Sequence, residues 1–439
     1  MLALLILSAL HADPLEDGRA LLRAKDAAGA ERVLAACTAA DPQNVDCWWE
    51  LGWARWLARD WDGTVQAWER VRALDPGRPD LDARLAAARD AAAVTAMAHA
   101  ARDAAPESFR SSAPEGATLR FRAVGDVMLG TDFPAGCLPP EDGAEMLRSV
   151  SSLLRDADLT FANLEGPLCD AGSTHKCSPD KPEGSCYAFR TPTRYGRFLV
   201  DAGIDVVSTA NNHSGDFGET CRVATERTLD ALGIAHSGRA GDVASIEVNG
   251  LKVAVLGFHA SAATHDVRDP ATAADLVRGL RARHDLVIVS FHGGAEGSKA
   301  IRTPTGPETY YGENRGDVRA FARAVVDAGA DLVVGHGPHV LRGMEIYKDR
   351  LVAYSLGNFA TYGRFNVTGN QGVGAVLEVV LDREGRFRSG RLLPTRQIGE
   401  GIPQPDPDGR ALDLVRTLSS QDFPGTAVRV ALDGTLGAP

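Results

Sequence analysis

The sequence predicts an α/β fold that follows a small all-α helical module. Two patterns carry this prediction: a repeated helical segment near the N-terminus, and short β-branched runs that alternate with helical stretches from Leu119 onward. The composition agrees, because 439 residues that are 44% hydrophobic and 24% charged are typical of a globular chain. A chain of this length has room for two or three domains.

The charge balance and the hydropathy exclude several classes of protein. The 47 Lys and Arg against 58 Asp and Glu leave a formal net charge of −11, without any long basic run. We therefore expect no nucleic-acid partner, because binding a phosphate backbone requires clustered positive charge. Apolar runs recur along the whole length, which excludes a disordered chain, and none approaches the roughly 20 apolar residues of a transmembrane span.

Residues 1–12 resemble a secretory signal peptide. Leu2 to Leu10 is almost wholly apolar, and Ala12 is the small residue of a cleavage site, although the usual positive n-region is missing. We expect an exported protein of the periplasm or cell envelope, cleaved after Ala12. The alternative is a cytoplasmic protein in which this run is buried.

The cysteines favour disulfide bonds over a zinc site. No Cys-x-x-Cys pair occurs among the seven cysteines, and five of them are clustered: Cys137, Cys169, Cys177, Cys186 and Cys221. Behind an export signal, such clustering predicts disulfides with one cysteine left over. Small buried hydrophobic cysteines in a cytosolic protein are the alternative. The sequence does not determine the pairings, but Cys37 and Cys47 flank one short turn and are expected to pair.

A repeat predicts paired helices within residues 13–104. Residues 18–42 align with residues 52–76, which places Gly18 on Gly52, Ala20 on Ala54, Leu22 on Trp56, Asp26 on Asp60 and Asp41-Pro42 on Asp75-Pro76. The second copy, with Trp48-x-x-Leu51-Gly52, Trp68 and Pro76, resembles the tetratricopeptide helix-turn-helix pattern. Small residues allow two helices to approach closely, and proline ends the second helix.

The rest of the helical module and the domain borders follow from composition. An alanine-rich run from Asp80 to about Ala101 predicts a helix that covers the apolar face of the last repeat. Such a module typically docks a protein partner; a stabilising appendage without a partner is the alternative. Residues 105–118 are predicted to be a linker, residues 119–397 the α/β domain, and residues 398–439 a C-terminal tail.

Polar side chains follow five predicted strands. They are Asp126 after Leu119–Val124, Asn163 and Glu165 after Leu159–Ala162, Asn212 and His213 after Val206–Ala210, His292 after Leu286–Phe291, and His336 and His339 after Leu332–Val334. Sites in open α/β sheets form outside the carboxyl ends of strands, so we expect one common crevice. Each residue taken alone could be a cap, turn or core residue. Together, oxygen and imidazole donors without a thiolate suit Mn, Fe or Zn.

Six ordered motifs resemble the bacterial CapA family, which is named for poly-γ-glutamate capsule assembly. The motifs are GDVMLG (125–130), NLEGPL (163–168), ANNHSGDFG (210–218), HGGAE (292–296), GHGPHVLRGME (335–345) and YSLGNF (354–359). The resemblance covers about residues 119–395. It implies a calcineurin-like metallophosphatase fold, a four-layer αββα sandwich with a metal centre at the strand ends.

The resemblance also implies a role for each motif residue. Asp126 and His339 would hold a first metal, Glu165 would bridge, and Asn212, His292 and His336 would hold a second. His213 would act as general acid, with Asp216 orienting its ring. The residues expected to contact substrate or to support the ligands are Asn163, Glu296, Arg190 and Arg342, of which the arginines suit an anionic substrate and are otherwise solvated surface residues.

Two departures from the wider superfamily stand out. Met128 occupies the position at which calcineurin-like phosphoesterases carry a histidine, and a thioether is a poor ligand for the harder divalent metals. We therefore leave open one or two metals (Mn, Fe or Zn). His259 could supply a ligand, but an ordinary loop histidine is the preferred reading. The cysteine-rich loop from Gly166 to Arg190 is expected to form one wall of the pocket, lined by Tyr187.

These observations support two functions. The first is a metal-dependent hydrolase of the phosphoesterase type, which uses metal-activated water on a phosphoester or an anionic polymer in capsule or poly-γ-glutamate metabolism. The alternative is a non-catalytic, metal-stabilised scaffold subunit for capsule or polyglutamate assembly or export. Fold resemblance alone does not decide between them.

Overall fold

The structure, a computed structural model, describes residues 13–24, 26–103, 113–174, 176–177 and 186–439. The predicted signal peptide, residue 104 of the predicted helical module and residues 105–112 of the predicted linker lie outside the described residues. The chain forms two compact units, of which the first ends at Ala93 and the second begins at Val94.

Eleven α-helices occur in the described part of the chain. They are α1 (Pro14–Arg23), α2 (Ala27–Ala40), α3 (Val45–Leu57), α4 (Trp61–Leu74), α5 (Leu81–Asp103), α6 (Ser151–Arg155), α7 (Gly196–Ala202), α8 (Gly218–Leu232), α9 (Pro270–Arg281), α10 (Val318–Asp327) and α11 (Arg410–Asp422). None of these helices is long and apolar enough to cross a membrane.

The strands of the described residues all lie in the second unit. They are β1 (Thr118–Met128), β2 (Leu159–Leu164), β3 (Val206–Ser208), β4 (Ala235–Ser237), β5 (Ala244–Val248), β6 (Leu251–His259), β7 (His265–Asp266), β8 (Leu286–His292), β9 (Thr309–Tyr310), β10 (Glu313–Asn314), β11 (Leu332–His336), β12 (Met344–Tyr347), β13 (Arg350–Ala353), β14 (Asn358–Thr361), β15 (Val373–Asp382), β16 (Phe387–Ile398), β17 (Ile402–Pro405), β18 (Arg429–Val430) and β19 (Thr435–Gly437).

The helices of the first unit repeat their contacts at the offset seen in the sequence. A Cβ on Gly18 would overlap Leu34, and a Cβ on the equivalent Gly52 would overlap Trp68, so glycine allows close approach in both pairs. Asp26 caps α2 and the aligned Asp60 caps α4. The helices are thus present, while their assignment to the tetratricopeptide family stays a prediction.

A cluster of tryptophans fills the space between α3 and α4. The Trp68 ring is fully buried, and the ring centroids of Trp49, Trp53 and Trp56 lie 5.6, 5.2 and 5.6 Å from it. Leu85 of α5 belongs to the same apolar cluster. Large aromatic side chains therefore supply much of the apolar core of this small unit.

Two mixed sheets form the core of the second unit, and β9 and β10 pair in a separate two-stranded sheet. The larger one has the order β18-β19-β16-β15-β1-β2-β3-β4, with β14 beside β1 and β17 beside β16. The smaller one has the order β12-β13-β11-β8-β6-β5, with β7 beside β6. Strands β1 to β4 pair in parallel, as do β6, β8, β11 and β13, so each sheet directs a set of carboxyl ends to one edge.

Alternating side chains divide the second unit into four layers. Phe121 of β1 and Ile288 of β8 meet in the core between the sheets. The neighbouring Val287 points to the other face, where it packs with residues of α9 and α10 such as Val277 and Phe321. The outer face of the larger sheet packs against α6, α7 and α8 through Leu154, Leu199 and Leu229. This order of layers confirms the predicted αββα sandwich.

The segment predicted as a C-terminal tail is built into the second unit. It contributes β17, β18 and β19 to the larger sheet. The helix α11 buries Ala411 and Val415 in the core between the sheets.

Candidate metal centre

The adjoining edges of the two sheets bring the predicted ligands together. On the larger sheet, β1 carries Asp126 in register with Asn163 of β2, and Glu165 follows β2 directly. On the smaller sheet, β8 ends at His292 and β11 ends at its register partner His336. All five side chains are buried. Parallel strands thus explain how residues far apart in the sequence meet.

The donor atoms of three of these residues are close enough to hold an ion. One atom each from Asp126, Glu165 and His292 lies within 4.8 Å of the other two. His292 Nδ1 is 3.4 Å from Glu165 Oε2, and His336 Nδ1 is 3.5 Å from Asp126 Oδ1. His339 Nδ1 is closer still, 2.8 Å from Asp126 Oδ2.

Several buried polar atoms of the predicted ligands have no hydrogen-bond partner in the described part of the chain. They are Glu165 Oε1, Asn212 Oδ1, His292 Nε2 and both ring nitrogens of His336. Unpaired buried polar atoms are unfavourable, and native proteins contain few of them. Because carboxylate, amide and imidazole donors without a thiolate suit Mn, Fe and Zn, these residues fit a divalent transition metal.

Burial and mutual charge set the protonation of the centre. Burial raises the pKa of Glu165 well above its ordinary value, and the charge of Asp126 raises it further. Burial would also raise the pKa of Asp126, but His336 and His339 outweigh it and hold that pKa low. Burial would lower the pKa of His339, yet Asp126 and Glu165 raise it to about 10. Burial takes the pKa of His292 well below its ordinary value.

An unusual backbone directs His339 towards the centre. This residue has a φ of 58°, a left-handed conformation that a non-glycine residue adopts only when its surroundings enforce it. Gly337 has a φ of 112°, and a Cβ there would lie 2.7 Å from the carbonyl oxygen of Gly293. The close approach of the loops after β11 and β8 therefore requires glycine at position 337.

Met128 is buried beside the centre, and its thioether sulfur is not one of the predicted oxygen or nitrogen donors. Its sulfur accepts a hydrogen bond from the Gly130 amide at 3.3 Å. A Cβ on Gly166 would lie 2.7 Å from Met128 Cγ, so the methionine packs tightly under the second motif. Position 128, at which the resemblance to calcineurin-like phosphoesterases would imply a histidine, therefore holds a packed thioether.

His213 and Asp216 form a buried pair next to the predicted ligands. His213 Nδ1 is 2.7 Å from Asp216 Oδ2, and because a carboxylate only accepts, Nδ1 carries the hydrogen. His213 Nε2 faces Glu165, 4.0 Å from Oε1. Burial lowers the pKa of His213. Burial would raise the pKa of Asp216, but His213 and Lys176 lower it overall.

The comparison with known proteins gives the family. Residues 120–362 match the family model described as bacterial capsule synthesis protein PGA_cap. The chain belongs to this family. Its αββα architecture is of the calcineurin-like metallophosphoesterase type, as the sequence motifs implied.

Relatives of the chain are named for capsule and polymer synthesis. It is 30% identical over 262 residues to the capsule biosynthesis protein CapA of Bacillus anthracis, covering 56% of this chain and 60% of that protein. It is 28% identical over 254 residues to the PGA biosynthesis protein CapA of Bacillus subtilis, covering 54% and 61%. A probable polyglutamine synthesis accessory protein of Mycobacterium tuberculosis is 32% identical over 181 residues, covering 35% and 44%.

These matches are partial. The chain spans about 60% of the length of the two CapA proteins that it matches. Among solved structures, an O-GlcNAc transferase variant of Thermobaculum terrenum matches at a TM-score of 0.19 and 12% identity, over 63% of this chain and 68% of that one. A score this low supports no conclusion. The family model and these relatives are named for capsule, PGA or polyglutamine synthesis.

The four residues predicted to contact substrate or support the ligands differ in their distance from the centre. Asn163 is inside it, where Nδ2 donates to Asp126 Oδ1 at 2.8 Å and to Glu165 Oε2 at 2.6 Å. Glu296 Oε2 is 3.7 Å from His339 Nε2, and its other oxygen is 2.7 Å from an amino group of Arg315. Glu296 therefore lies beside the centre and is oriented by an arginine.

The two predicted arginines are engaged with other groups. Arg342 is fully buried, and both of its amino groups donate to Glu308, at 2.8 and 2.7 Å. It therefore supports the polypeptide beside the centre and is not a solvated surface residue. Arg190 donates to Asp132 at 2.7 Å and to the Gly172 carbonyl at 3.1 Å, which joins two loops at the rim.

Sequence reasoning missed two asparagines of the centre. Asn358 Oδ1 lies 3.1 Å from His339 Nδ1, and Asn211 donates to Asn163 at 3.2 Å. Both stand inside motifs that identified the family, so their position there is the signal that could have found them. His259 was expected to be an ordinary loop histidine, and instead it is buried with Nδ1 3.0 Å from the His292 carbonyl oxygen.

The cysteines form the predicted disulfides. The pairs are Cys37–Cys47, as expected from their spacing, together with Cys169–Cys221 and Cys177–Cys186. Cys137 is the free cysteine of the described residues. Two of the three bonds hold the loop from Gly166 to Arg190, and disulfides of this kind are typical of proteins outside the cytosol.

Proposed function

We propose that the chain is a metal-dependent hydrolase of the phosphoesterase type that acts on a phosphoester or an anionic polymer in capsule or poly-γ-glutamate metabolism. One observation carries this proposal: buried ligand atoms without hydrogen-bond partners adjoin a buried His–Asp pair. A structural metal site alone would not need a histidine whose free nitrogen faces the ligands.

The chain supplies enough donors for the proposed metal. Asp126, Glu165 and His339 would hold a first ion, and Glu165, Asn212, His292 and His336 would hold a second. When bound, a divalent transition metal lowers the pKa of water and stabilises negative charge that develops on the substrate. Because Met128 supplies no imidazole, we propose that the site formed by Asp126, Glu165 and His339 is the weaker of the two.

His213 is the proposed general acid. In its protonated form it keeps one hydrogen on Nδ1, bonded to Asp216, and presents the other on Nε2 towards Glu165. The Nε2 proton passes to the leaving atom, the ester oxygen of a phosphoester or the amide nitrogen of poly-γ-glutamate, as the bond from that atom to phosphorus or to the carbonyl carbon breaks. The buried carboxylate of Asp216 stabilises the imidazolium before the transfer and fixes the ring plane.

A second candidate function is a metal-stabilised scaffold subunit for capsule or polyglutamate assembly or export. Met128 favours it, because a centre with a weakened site is less suited to two-metal chemistry. The separate helical unit favours it too, since helical repeats commonly dock proteins. In both functions we propose an exported protein, in agreement with its disulfides.

Metal content and turnover, measured together, test the proposal. Protein purified without chelator is analysed for metal and assayed, with Mn²⁺, Fe²⁺ or Zn²⁺ added, on p-nitrophenyl phosphate, bis-p-nitrophenyl phosphate and poly-γ-glutamate. We expect bound metal and turnover in the wild type, loss of both in His292→Ala, and loss of turnover alone in His213→Ala. Metal without turnover on any substrate overturns the hydrolase in favour of the scaffold; absence of metal overturns the site itself.

A further inference from the structure

Lys176 touches three groups of the segment that carries the proposed acid. Its Nζ lies 2.6 Å from Asp216 Oδ1 and 3.1 Å from the Asn212 carbonyl oxygen, and it donates to both. It is 3.3 Å from His213 Nδ1, whose hydrogen is already directed at Asp216. One ammonium group therefore contacts the carboxylate that orients His213 and the peptide that leads into it.

The positive charge of Lys176 compensates the buried negative charge of Asp216. The Asp216 side chain is 1% exposed, and burying a carboxylate without a counter-charge is strongly unfavourable. Oδ2 accepts from His213 Nδ1 and from the Phe189 amide at 2.8 Å, which leaves Oδ1 for the lysine. With both oxygens occupied, the carboxylate plane cannot turn away from the imidazole.

Disulfides bring this lysine to the site. Cys177 is its chain neighbour and is bonded to Cys186, whose sulfur lies 3.2 Å from the Lys176 carbonyl oxygen. The Cys169–Cys221 bond ties the same loop to α8, the helix that follows the His213 segment. The two disulfides thus constrain the loop on both sides of Lys176, and one of them also links it to the helix that follows the His213 segment.

We propose that Lys176 is a positioning residue of the centre, which holds Asp216 and through it presents Nε2 of His213 to the substrate. This inference rests on the proposed function, in which His213 is the proton donor. Under this proposal the cysteine-rich loop does more than border the pocket. It also positions the ammonium group of Lys176 against Asp216.

The first test uses metal-free protein and needs no catalysis. In histidine-labelled protein, a downfield ring-proton resonance reports the Nδ1–H bonded to Asp216, and it is assigned by its absence in His213→Gln. We expect the signal in the wild type and in Lys176→Arg, and its loss or a large upfield shift in Lys176→Met. An unchanged signal in Lys176→Met overturns the proposal. Lys348→Met is the control, because it removes an exposed lysine that is also 2.6 Å from an aspartate.

The second test asks whether Lys176 acts through Asp216. With the substrate that the wild type hydrolyses best, we expect Lys176→Met to lower kcat by about 10-fold or more, with KM nearly unchanged, because the general-acid contribution it supports is about 100-fold or larger. Adding Lys176→Met to Asp216→Asn should then lower kcat no further. A raised KM, or fully additive losses, overturns the positioning role.

The two tests separate this inference from the proposed function. If the wild type hydrolyses none of the substrates, the proposed function fails and the resonance of the metal-free protein decides the role of Lys176. If turnover is present and the resonance does not respond to Lys176→Met, the hydrolase stands and the positioning role fails. Equal unfolding midpoints for Lys176→Met, Lys176→Arg and Lys348→Met exclude a loss of fold as the cause.

Discussion

His339 Nδ1 lies 2.8 Å from Asp126 Oδ2, although the two residues are 213 positions apart and approach from different sheets. Burial alone would lower the pKa of His339, but Asp126 and Glu165 raise it to about 10, so the metal-free centre stores a proton on this imidazole. An imidazole that binds a metal must give up that proton. If His339 is a ligand as proposed, metal binding to the centre releases this proton.

Metal binding near pH 8 should release protons. Because the pKa of His339 is about 10 without metal, the ring is protonated at pH 8 and must lose its proton to become a ligand. Calorimetric titration with Mn²⁺ or Zn²⁺ in buffers of different ionisation enthalpy measures the number released. His339→Asn should lower that number by about one. A binding enthalpy that does not depend on the buffer would contradict the assignment of His339.

Replacing Met128 with histidine should strengthen the weaker site. The buried thioether lies beside the centre, and an imidazole there would add a nitrogen donor of the kind that Mn, Fe and Zn prefer. We expect Met128→His to bind up to one more metal per chain than the wild type, as measured by elemental analysis. Met128→Leu is the matched control, because it fills similar space without a donor. Equal metal content in all three proteins would show that position 128 does not limit the site.

Gly337→Ala should destabilise the second unit. The residue has a φ of 112°, and an added Cβ would lie 2.7 Å from the Gly293 carbonyl oxygen, so alanine meets both backbone strain and a clash. We expect a loss of about 2 kcal/mol or more in the free energy of urea unfolding, together with weaker metal binding. Gly425→Ala serves as control, since nothing lies within 4 Å of its added Cβ and its φ is ordinary. Similar losses for both variants would refute the close-approach argument.

Acidification should destabilise the second unit through His265. Burial lowers the pKa of this residue to about 4, and its neutral ring has Nδ1 3.0 Å from the Gly257 carbonyl oxygen while Nε2 accepts from the Gly241 amide. Since the folded pKa lies below the unfolded value near 6.5, the contribution to stability is complete above that value and is lost as the pH falls towards 4. From pH 7.5 to pH 5 the loss amounts to about 2 kcal/mol.

Urea unfolding at the two pH values measures this loss. His265→Gln keeps one donor and one acceptor but does not titrate, so its free energy of unfolding should fall by about 2 kcal/mol less than that of the wild type over the same interval. Parallel pH dependences in the two proteins would contradict the prediction.

The sheets and the convergence of polar strand ends could be predicted because they depend on local patterns. A run such as 286–292 is apolar on both faces, as a strand covered on two sides must be, and it ends in His292. Parallel pairing then places that end beside His336. The αββα order of layers came from the family motifs, since alternation alone does not say which sheet faces which.

The residues of the centre that could not be predicted from the sequence are positioned by loops and by tertiary contacts. Lys176 stands in a cysteine-rich loop without periodicity, and only folding of the chain brings it to Asp216. Arg342 looked like a surface residue because arginine is rarely buried, and a buried glutamate 34 positions away reverses that expectation. Asn358 was visible within a family motif, but its distance to His339 was not.

The tryptophan cluster divides the optical signals of the protein between its two units. All six tryptophans stand between positions 48 and 68, and all seven tyrosines stand at position 187 or later. Intrinsic tryptophan fluorescence therefore reports the helical unit alone, while tyrosine emission, which lies at shorter wavelength than tryptophan emission, reports the unit with the candidate metal centre. Thermal unfolding followed by tryptophan fluorescence therefore does not detect how a substitution in the centre changes the stability of the second unit. The two signals measured together show whether the units unfold independently.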